Sequence, residues 1–184
     1  MEFIKGQLDG IFIVSPGVHE DKRGFFFEAY HQMRFKEHGI TAEFVQDNQS
    51  FSGKGTLRGL HYQIQMAQDK LIRVLSGEIF DVALDIRQGS PSYGLWEGVV
   101  LSAKNKKQLF IPKGFAHGFQ VISDEAEILY KCSDFYSPQH DRGILWSDPE
   151  IGITWPIPSP VLSDKDKIQP RLKDLTPENL FHYD

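Results

Sequence analysis

The sequence has very little cysteine and no excess of positive charge. Its one cysteine, Cys132, cannot form an internal disulfide. Its 20 lysines and arginines against 25 aspartates and glutamates give a net charge of −5, which argues against a broad surface for nucleic acid. A local cationic pocket is still compatible with that total.

Long apolar runs are missing as well. No segment approaches the roughly 18 apolar residues of a membrane helix. The first ten residues, MEFIKGQLDG, lack the apolar run of a signal peptide. Together with the single cysteine, this predicts a cytoplasmic protein that does not span a membrane. A chain of 184 residues is expected to form one domain, residues 1–184.

Turn-forming and aromatic residues are abundant, with 16 glycines, 10 prolines and 14 phenylalanines. That mixture is typical of short strands joined by tight turns. Strand-like runs occur at residues 11–14, 25–29, 44–49, 60–64, 70–75, 78–86, 98–102, 108–111, 118–122 and 126–133. A surface helix is predicted at residues 30–38, before Gly39. The sequence therefore predicts an all-β sandwich or barrel. Residues 147–184, proline-rich and then charged, are predicted to be an extension that packs on it.

Residues 80–86 alternate strictly between two faces of a strand. Counting by twos places Phe80, Val82, Leu84 and Ile86 on one face and Asp81, Ala83 and Asp85 on the other. We expect the first face to pack in the core and the second to border a cavity.

Two of the seven histidines, His61 and His117, lie on predicted strands in polar surroundings. Gly114 and Gly118 near His117 keep backbone bulk away from its ring. Either histidine alone could equally be a hydrogen-bonded core residue. A metal site is disfavoured because the sequence contains no His-x-His pair.

Several segments resemble a known family in order and spacing. They are DKRGFFFE (21–28), VQDN (45–48), RGLHYQ (58–63), GEIFDV (77–82), IPKGFAHGF (111–119), YKC (130–132) and LSDKD (162–166). This set, which covers residues 11–172, closely resembles dTDP-4-dehydrorhamnose 3,5-epimerases.

The resemblance implies a cupin-type jelly-roll β-barrel with a few short peripheral helices. It also implies a homodimer that exchanges amino-terminal strands. The implied reaction is epimerisation at C3 and C5 of dTDP-4-dehydro-6-deoxy-D-glucose, without metal or another cofactor, in dTDP-L-rhamnose biosynthesis. A C–H bond beside the 4-keto group is acidic at both carbons, and imidazole is a suitable base near neutral pH.

Residue by residue, the resemblance makes His61 the base and Asp166 its orienting partner. It makes Tyr130 the acid on the opposite face and Lys70 the stabiliser of the oxyanion. Asp81 and His117 would form a second dyad. The implied substrate-binding residues are Arg23, Glu28, Gln46, Asp47, Asn48, Arg58, Lys70, His117, Asp141 and Lys165.

The residues alone leave alternatives open. Tyr130 also fits a core tyrosine, Lys70 a solvated lysine at a strand edge, and Arg23 a solvated turn. Many members of the family carry glutamate where this chain has the shorter Asp141. The alternative functions are a single-site epimerase acting at C3 or C5 and a non-catalytic cupin that binds a nucleotide sugar. The binding module would not need His61, and a metal-dependent cupin dioxygenase would need more imidazole ligands.

Overall fold

The computed structural model describes residues 1–183, and residue 184, the last of the predicted domain, lies outside the described residues. Two antiparallel sheets face each other. The larger sheet has the spatial order β1 (Glu2–Lys5), β2 (Phe12–Ser15), β11 (Gln108–Ile111), β7 (Lys70–Ser76), β13 (Glu125–Cys132) and β5 (Gln46–Gly53). The smaller has the order β10 (Trp96–Ser102), β8 (Glu78–Asp85), β12 (Phe115–Val121), β6 (Leu57–Gln63) and β14 (Asp141–Gly143).

The remaining elements lie around these sheets. A separate hairpin pairs β3 (Val18–Asp21) with β4 (Gly24–Phe27), and β9 (Arg87–Gln88) pairs in parallel with β15 (Phe181–His182). The helices are α1 (Gln32–Glu37), α2 (Asp164–Lys167) and two 3₁₀ turns, Leu172–Asp174 and Pro177–Asn179. The prediction of an all-β, cupin-type jelly roll with a few short helices is confirmed. No helix among residues 1–183 is long and apolar enough to cross a membrane.

Apolar side chains fill two main layers. The first, between the two sheets, includes Ile72, Ile79, Leu109 and Ile128. The second lies on the outer face of the smaller sheet, where residues 151–180 of the chain cover β6 and β8; Trp155 is one of its large side chains. Burying so much apolar surface on both faces of the smaller sheet stabilises the docked carboxy-terminal segment.

The alternation in β8 explains how one strand serves both layers. Phe80, Val82, Leu84 and Ile86 pack in the outer layer, whereas Ala83 packs between the sheets and Asp81 lies beneath His117. The predicted division of residues 80–86 into two faces is therefore correct. The expectation that the second face borders a cavity is wrong, because Asp81, Ala83 and Asp85 are buried and are not among the described residues that line the cavity between the sheets.

Strand boundaries differ more from the prediction than the strand faces do. The strand predicted at residues 44–49 is β5, which runs from Gln46 to Gly53. Phe44 instead packs against the cluster around α1. Within β5 the inward positions are polar, so hydrophobic alternation does not mark this strand. The short strands β1, β3, β9, β14 and β15 were not predicted, whereas β2, β4 and β11, which are also short, were.

Candidate active site

A cavity of about 410 Å³ opens between the two sheets and is closed on one side by residues 161–166. Seven residues singled out from the sequence line it together: Arg58, His61, Lys70, His117, Tyr130, Lys165 and Asp166. They come from four different strands and the carboxy-terminal segment. The fold thus brings together residues separated by more than 100 positions in the chain.

His61 and Asp166 form a short hydrogen bond in the cavity. Nε2 of His61, on β6, lies 2.5 Å from Oδ1 of Asp166. Burial alone would raise the pKa of Asp166. The hydrogen bond and charge of His61, with help from Ser163 and Lys165, outweigh burial and hold this pKa below its usual value. The ionised carboxylate only accepts hydrogen bonds, so Nε2 carries the proton and Nδ1 is the nitrogen that can act as a base.

A second histidine–carboxylate pair lies next to the first. His117 on β12 is the cross-strand partner of His61 on β6, and its Nε2 lies 2.6 Å from Oδ1 of Asp81. Asp81 is fully buried, and its other oxygen has no hydrogen-bond partner within residues 1–183. The two neighbouring strands therefore present two imidazoles of fixed orientation to one cavity.

Lys70 and Tyr130 lie on the opposite wall, which the larger sheet provides. Lys70 begins β7, and burial lowers the pKa of its ammonium group, an effect partly opposed by Cys132, Asp141 and Asp81. Tyr130 is on β13, and burial raises the pKa of its phenol. The phenol is consequently protonated at neutral pH and able to donate. The ammonium group of Lys70 is shielded from solvent, so the alternative that it is a solvated lysine at a strand edge is wrong.

Two other cations are held at the cavity by hydrogen bonds. The guanidinium of Arg58 donates to Oγ of Ser52 from both Nε (3.2 Å) and Nη2 (3.0 Å). Lys165 forms an ion pair with Asp141, which also accepts a hydrogen bond from Tyr136 at 3.3 Å. With Lys70, these groups make a local positive site in a chain whose net charge is −5. Such a site suits phosphate oxygens.

Other predicted binding residues are not in this cavity. Arg23 lies in the turn of the β3–β4 hairpin, where its side chain is 83% exposed and binds Asp21 at 2.6 Å. Glu28 pairs with Arg34 at 3.1 Å. Neither Arg23 nor Glu28 is among the described residues that line the cavity.

The three predicted residues of β5 divide between its faces. Gln46 and Asn48 share a face and are joined by a hydrogen bond of 3.1 Å. Asn48 also donates to Sγ of the buried Cys132 at 3.6 Å. Asp47 is on the other face, where it forms an ion pair with Lys131 at 2.9 Å. Gln46 and Asn48 therefore share the face of β5 that carries the cavity-lining Ser50, whereas Asp47 lies on the opposite face.

Sequence reasoning missed three serines at the site. Ser50 and Ser163 line the cavity, and Ser52 accepts the hydrogen bonds from Arg58. Oγ of Ser50 is buried and has no hydrogen-bond partner within the described chain. The signal for two of them was present, because the even-numbered residues from 46 to 52 are all polar and a strand places them on one face. The remaining wall is mostly apolar and includes Leu57, Phe119 and Val161.

Comparisons with known proteins agree with one another. A family model described as dTDP-4-dehydrorhamnose 3,5-epimerase matches residues 5–174. A dTDP-4-dehydrorhamnose 3,5-epimerase from Shigella flexneri is 57% identical over 168 residues, which are 90% of this chain and 93% of that protein. A crystal structure of a dTDP-6-deoxy-D-glucose-3,5-epimerase from Legionella pneumophila, in complex with dTDP-4-keto-L-rhamnose, is 49% identical with a TM-score of 0.97, and the match covers 100% of this chain and 98% of that one.

A more distant structure has a different specificity. A 3'-monoepimerase from Streptomyces bikiniensis, in complex with dTDP-quinovose, is 32% identical with a TM-score of 0.86; the match covers 91% of this chain and 86% of that one. The same fold therefore carries enzymes described as acting at two carbons and at one.

Proposed function

Because the chain belongs to the dTDP-4-dehydrorhamnose 3,5-epimerase family, we propose that its cavity converts dTDP-4-dehydro-6-deoxy-D-glucose into dTDP-4-dehydro-L-rhamnose. The protein is an epimerase of dTDP-L-rhamnose biosynthesis. One observation carries the assignment of the site: a histidine–carboxylate pair and a buried tyrosine face each other across one cavity, on different sheets. Inversion of a carbon needs a base on one side of the sugar and an acid on the other.

The first step is removal of a proton from carbon. Nδ1 of His61 takes the proton from C3 or C5, and the C–H electron pair moves toward C4 to form an enolate with its charge on O4. Asp166 stabilises the imidazolium that forms, as a carboxylate does for a catalytic histidine. The ammonium of Lys70 stabilises the charge on O4, and its effect is large because the cavity is partly shielded from water.

The second step is delivery of a proton to the opposite face of the same carbon. Tyr130 lies on the larger sheet, across the cavity from His61 on the smaller sheet. Its phenol donates the proton, and the C4 carbonyl re-forms. The phenolate regains a proton and His61 loses one before the next inversion. Since one ketone acidifies both C3 and C5, the same groups serve both carbons, and the steps use side chains alone, without metal or cofactor.

The nucleotide half of the substrate brings a diphosphate. Arg58 and Lys165 line the cavity and provide positive charge for it. His117, oriented by Asp81, supplies a further hydrogen-bonding group near the sugar. A cytoplasmic location is consistent with the single free cysteine, which is buried.

Arg23 supports the proposal that the enzyme is a homodimer. Its hairpin forms a sheet of its own, and Phe25 and Phe26 on it are 59% and 74% exposed. Exposed aromatics beside a guanidinium are typical of a contact surface. We propose that this amino-terminal hairpin, exchanged between subunits, delivers Arg23 and Glu28 to the cavity of the partner subunit.

A deuterium-exchange experiment tests the reaction. The protein is incubated with dTDP-4-dehydro-6-deoxy-D-glucose in D₂O and the sugar is followed by NMR. Deuterium at both C3 and C5 with inversion of both centres supports the proposal. Deuterium at one carbon alone indicates the single-site alternative, for which the 3'-monoepimerase of the same fold is the precedent. A protein that binds the nucleotide sugar but catalyses no exchange is the binding module.

The shared site is tested by mixing two inactive variants. Arg23→Ala and His61→Ala damage the same site from different subunits if Arg23 acts across the dimer. Co-expressed chains should then regain about a quarter of wild-type activity, because half of the dimers are mixed and each contains one intact site. Mixtures that stay as inactive as the separate variants, or a wild-type protein that is monomeric by light scattering, would contradict the dimer proposal.

A further inference from the structure

We propose that Ser163 is a positioning residue for the epimerase: its hydroxyl group fixes the carboxylate of Asp166 in the orientation that holds His61. This inference rests on the proposed role of His61 as the base. Ser163 does not touch the reacting carbon in this proposal, and it acts only through Asp166.

Ser163 makes two hydrogen bonds to the same residue. It is the residue before the first turn of α2, and its Oγ accepts a hydrogen bond from the backbone N–H of Asp166 at 3.1 Å. The same hydroxyl donates to Oδ2 of Asp166 at 2.9 Å. Oδ1 of Asp166 faces Nε2 of His61 at 2.5 Å. Both carboxylate oxygens are therefore engaged, and rotation of the carboxylate would break a bond at each end.

Ser163 is itself anchored to the strand that carries the histidine. Two residues earlier, Val161 donates its N–H to the carbonyl of Gly55 and accepts from the N–H of Leu57, both at 2.9 Å. Leu57 is the first residue of β6, and His61 is on that strand. The contacts close a circuit that runs from β6 through Val161, Ser163 and Asp166 and returns to His61 on β6. The circuit fixes the dyad although its members are 105 positions apart in sequence.

Electrostatics at the carboxylate agree with this role. Asp166 is only 3% exposed, so an oxygen without a donor would be costly. Ser163 is one of the groups that oppose burial and lower the pKa of Asp166; the others are His61 and Lys165. A hydroxyl donor at Oδ2 keeps the carboxylate charged while Oδ1 supports the imidazolium of His61.

The alternative is that Ser163 merely caps a helical turn. A cap affects stability, whereas a positioning residue affects the chemical step, so the two roles predict different measurements. Ser102 offers a matched control. Its Oγ accepts a hydrogen bond from the N–H of Asn105, also three residues ahead, at 2.9 Å. It is 4% exposed and is not among the described residues that line the cavity.

The first experiment compares Ser163→Ala, Ser163→Thr and Ser102→Ala. Ser163→Ala should lower kcat about tenfold with KM changed less than about twofold, because the lost hydrogen bond is to the carboxylate of Asp166 and not to the substrate. Ser163→Thr keeps the hydroxyl and should restore most of kcat. Ser102→Ala should keep the wild-type kcat even where urea unfolding shows a similar loss of stability. A wild-type kcat for Ser163→Ala, or equal losses of kcat in the two alanine variants, would overturn the proposal.

A double-mutant cycle then asks whether Ser163 acts through Asp166. Adding Ser163→Ala to Asp166→Ala should cause no further loss of deuterium exchange, because the positioned group is already gone. A further loss equal to that of the single variant would show an independent, structural role. These outcomes are separable from failure of the proposed function, in which the wild-type protein itself catalyses no exchange at C3 or C5.

Discussion

Replacing Asp166 by asparagine tests how much the carboxylate contributes to the base. The substitution keeps the size of the side chain and removes its charge, at a side chain that is 4% exposed and lies 2.5 Å from Nε2 of His61. Asparagine can still accept one hydrogen bond, but it cannot balance the charge of the imidazolium. Its amide can also donate to Nε2, which would move the imidazole proton to Nδ1 and remove the base.

The size of the effect follows from the bond that is lost. Hydrogen bonds to charged groups contribute about 1.5–3 kcal/mol. Because about 1.4 kcal/mol corresponds to tenfold in rate, kcat should fall by about 10- to 150-fold. Loss of the correct imidazole tautomer would make the decrease larger. KM should change less than kcat, since the Asp166 side chain is only 4% exposed and acts through its hydrogen bond to His61.

The assay is NMR of deuterium incorporation at C3 and C5 with saturating substrate in D₂O. Asp164→Asn is the matched control. It removes the same charge from the same helix, where the Asp164 side chain is fully exposed and pairs with Lys167 at 2.8 Å. The control should retain wild-type kcat. An Asp166→Asn variant within about twofold of wild-type kcat would refute the role given to this carboxylate.

Three further predictions concern the proposed acid Tyr130, the close approach of β6 to β12 at Gly59, and the buried carboxylate of Asp85. Tyr130→Phe should retain deuterium exchange by the base but fail to invert one centre, and a wild-type rate of inversion in the NMR assay would show that another group is the acid. Gly59→Ala should lower the free energy of unfolding by about 1–3 kcal/mol more than Gly24→Ala in urea titrations. Both glycines have φ near +120°, but only a Cβ at position 59 would lie 2.5 Å from another backbone atom, the Cα of Gly118. Equal losses in the two variants would refute this reasoning. Burial raises the pKa of Asp85, but its hydrogen bonds, chiefly from Arg87, outweigh burial and leave that pKa below its usual value. The stability that this carboxylate contributes is therefore present above about pH 4 and lost as the pH falls further. Asp85→Asn should lower the free energy of unfolding by about 3–5 kcal/mol at pH 7 and by much less near pH 3. A difference from wild type that does not change with pH in urea titrations would contradict this.

Much of the fold was predictable because most strands have a conventional pattern. In β8, hydrophobic side chains alternate with a second set, and the members of each face were assigned correctly, although the second face is buried and does not line the cavity. The helix predicted at residues 30–38 is found at Gln32–Glu37. The strand β5 was harder, because its inward residues are polar and line or support the site rather than the core. Sequence patterns fail most readily where function replaces an apolar side chain by a polar one.

Local pattern placed His61 and His117 on strands, but it could not find their carboxylate partners. Asp166 is 105 positions from His61 and Asp81 is 36 positions from His117, so only the resemblance to known epimerases connected them. For Arg23, the resemblance predicted a contact at the cavity that residues 1–183 of the single chain do not form. The resemblance made it a substrate contact, whereas the single chain leaves it in an exposed turn.

The position of the dyad makes the carboxy-terminal segment part of the active site rather than a cover for the barrel. Asp166 contacts His61 from a segment, residues 151–180, that is packed on the outer face of the smaller sheet. Trp155 contributes to that packing, and Val161 joins the segment to the start of β6. Docking of this segment and completion of the base are consequently one event. A local opening of the segment would remove the partner of the base while the two sheets stay intact, so activity should be lost at lower urea concentration than the β-sheet signal.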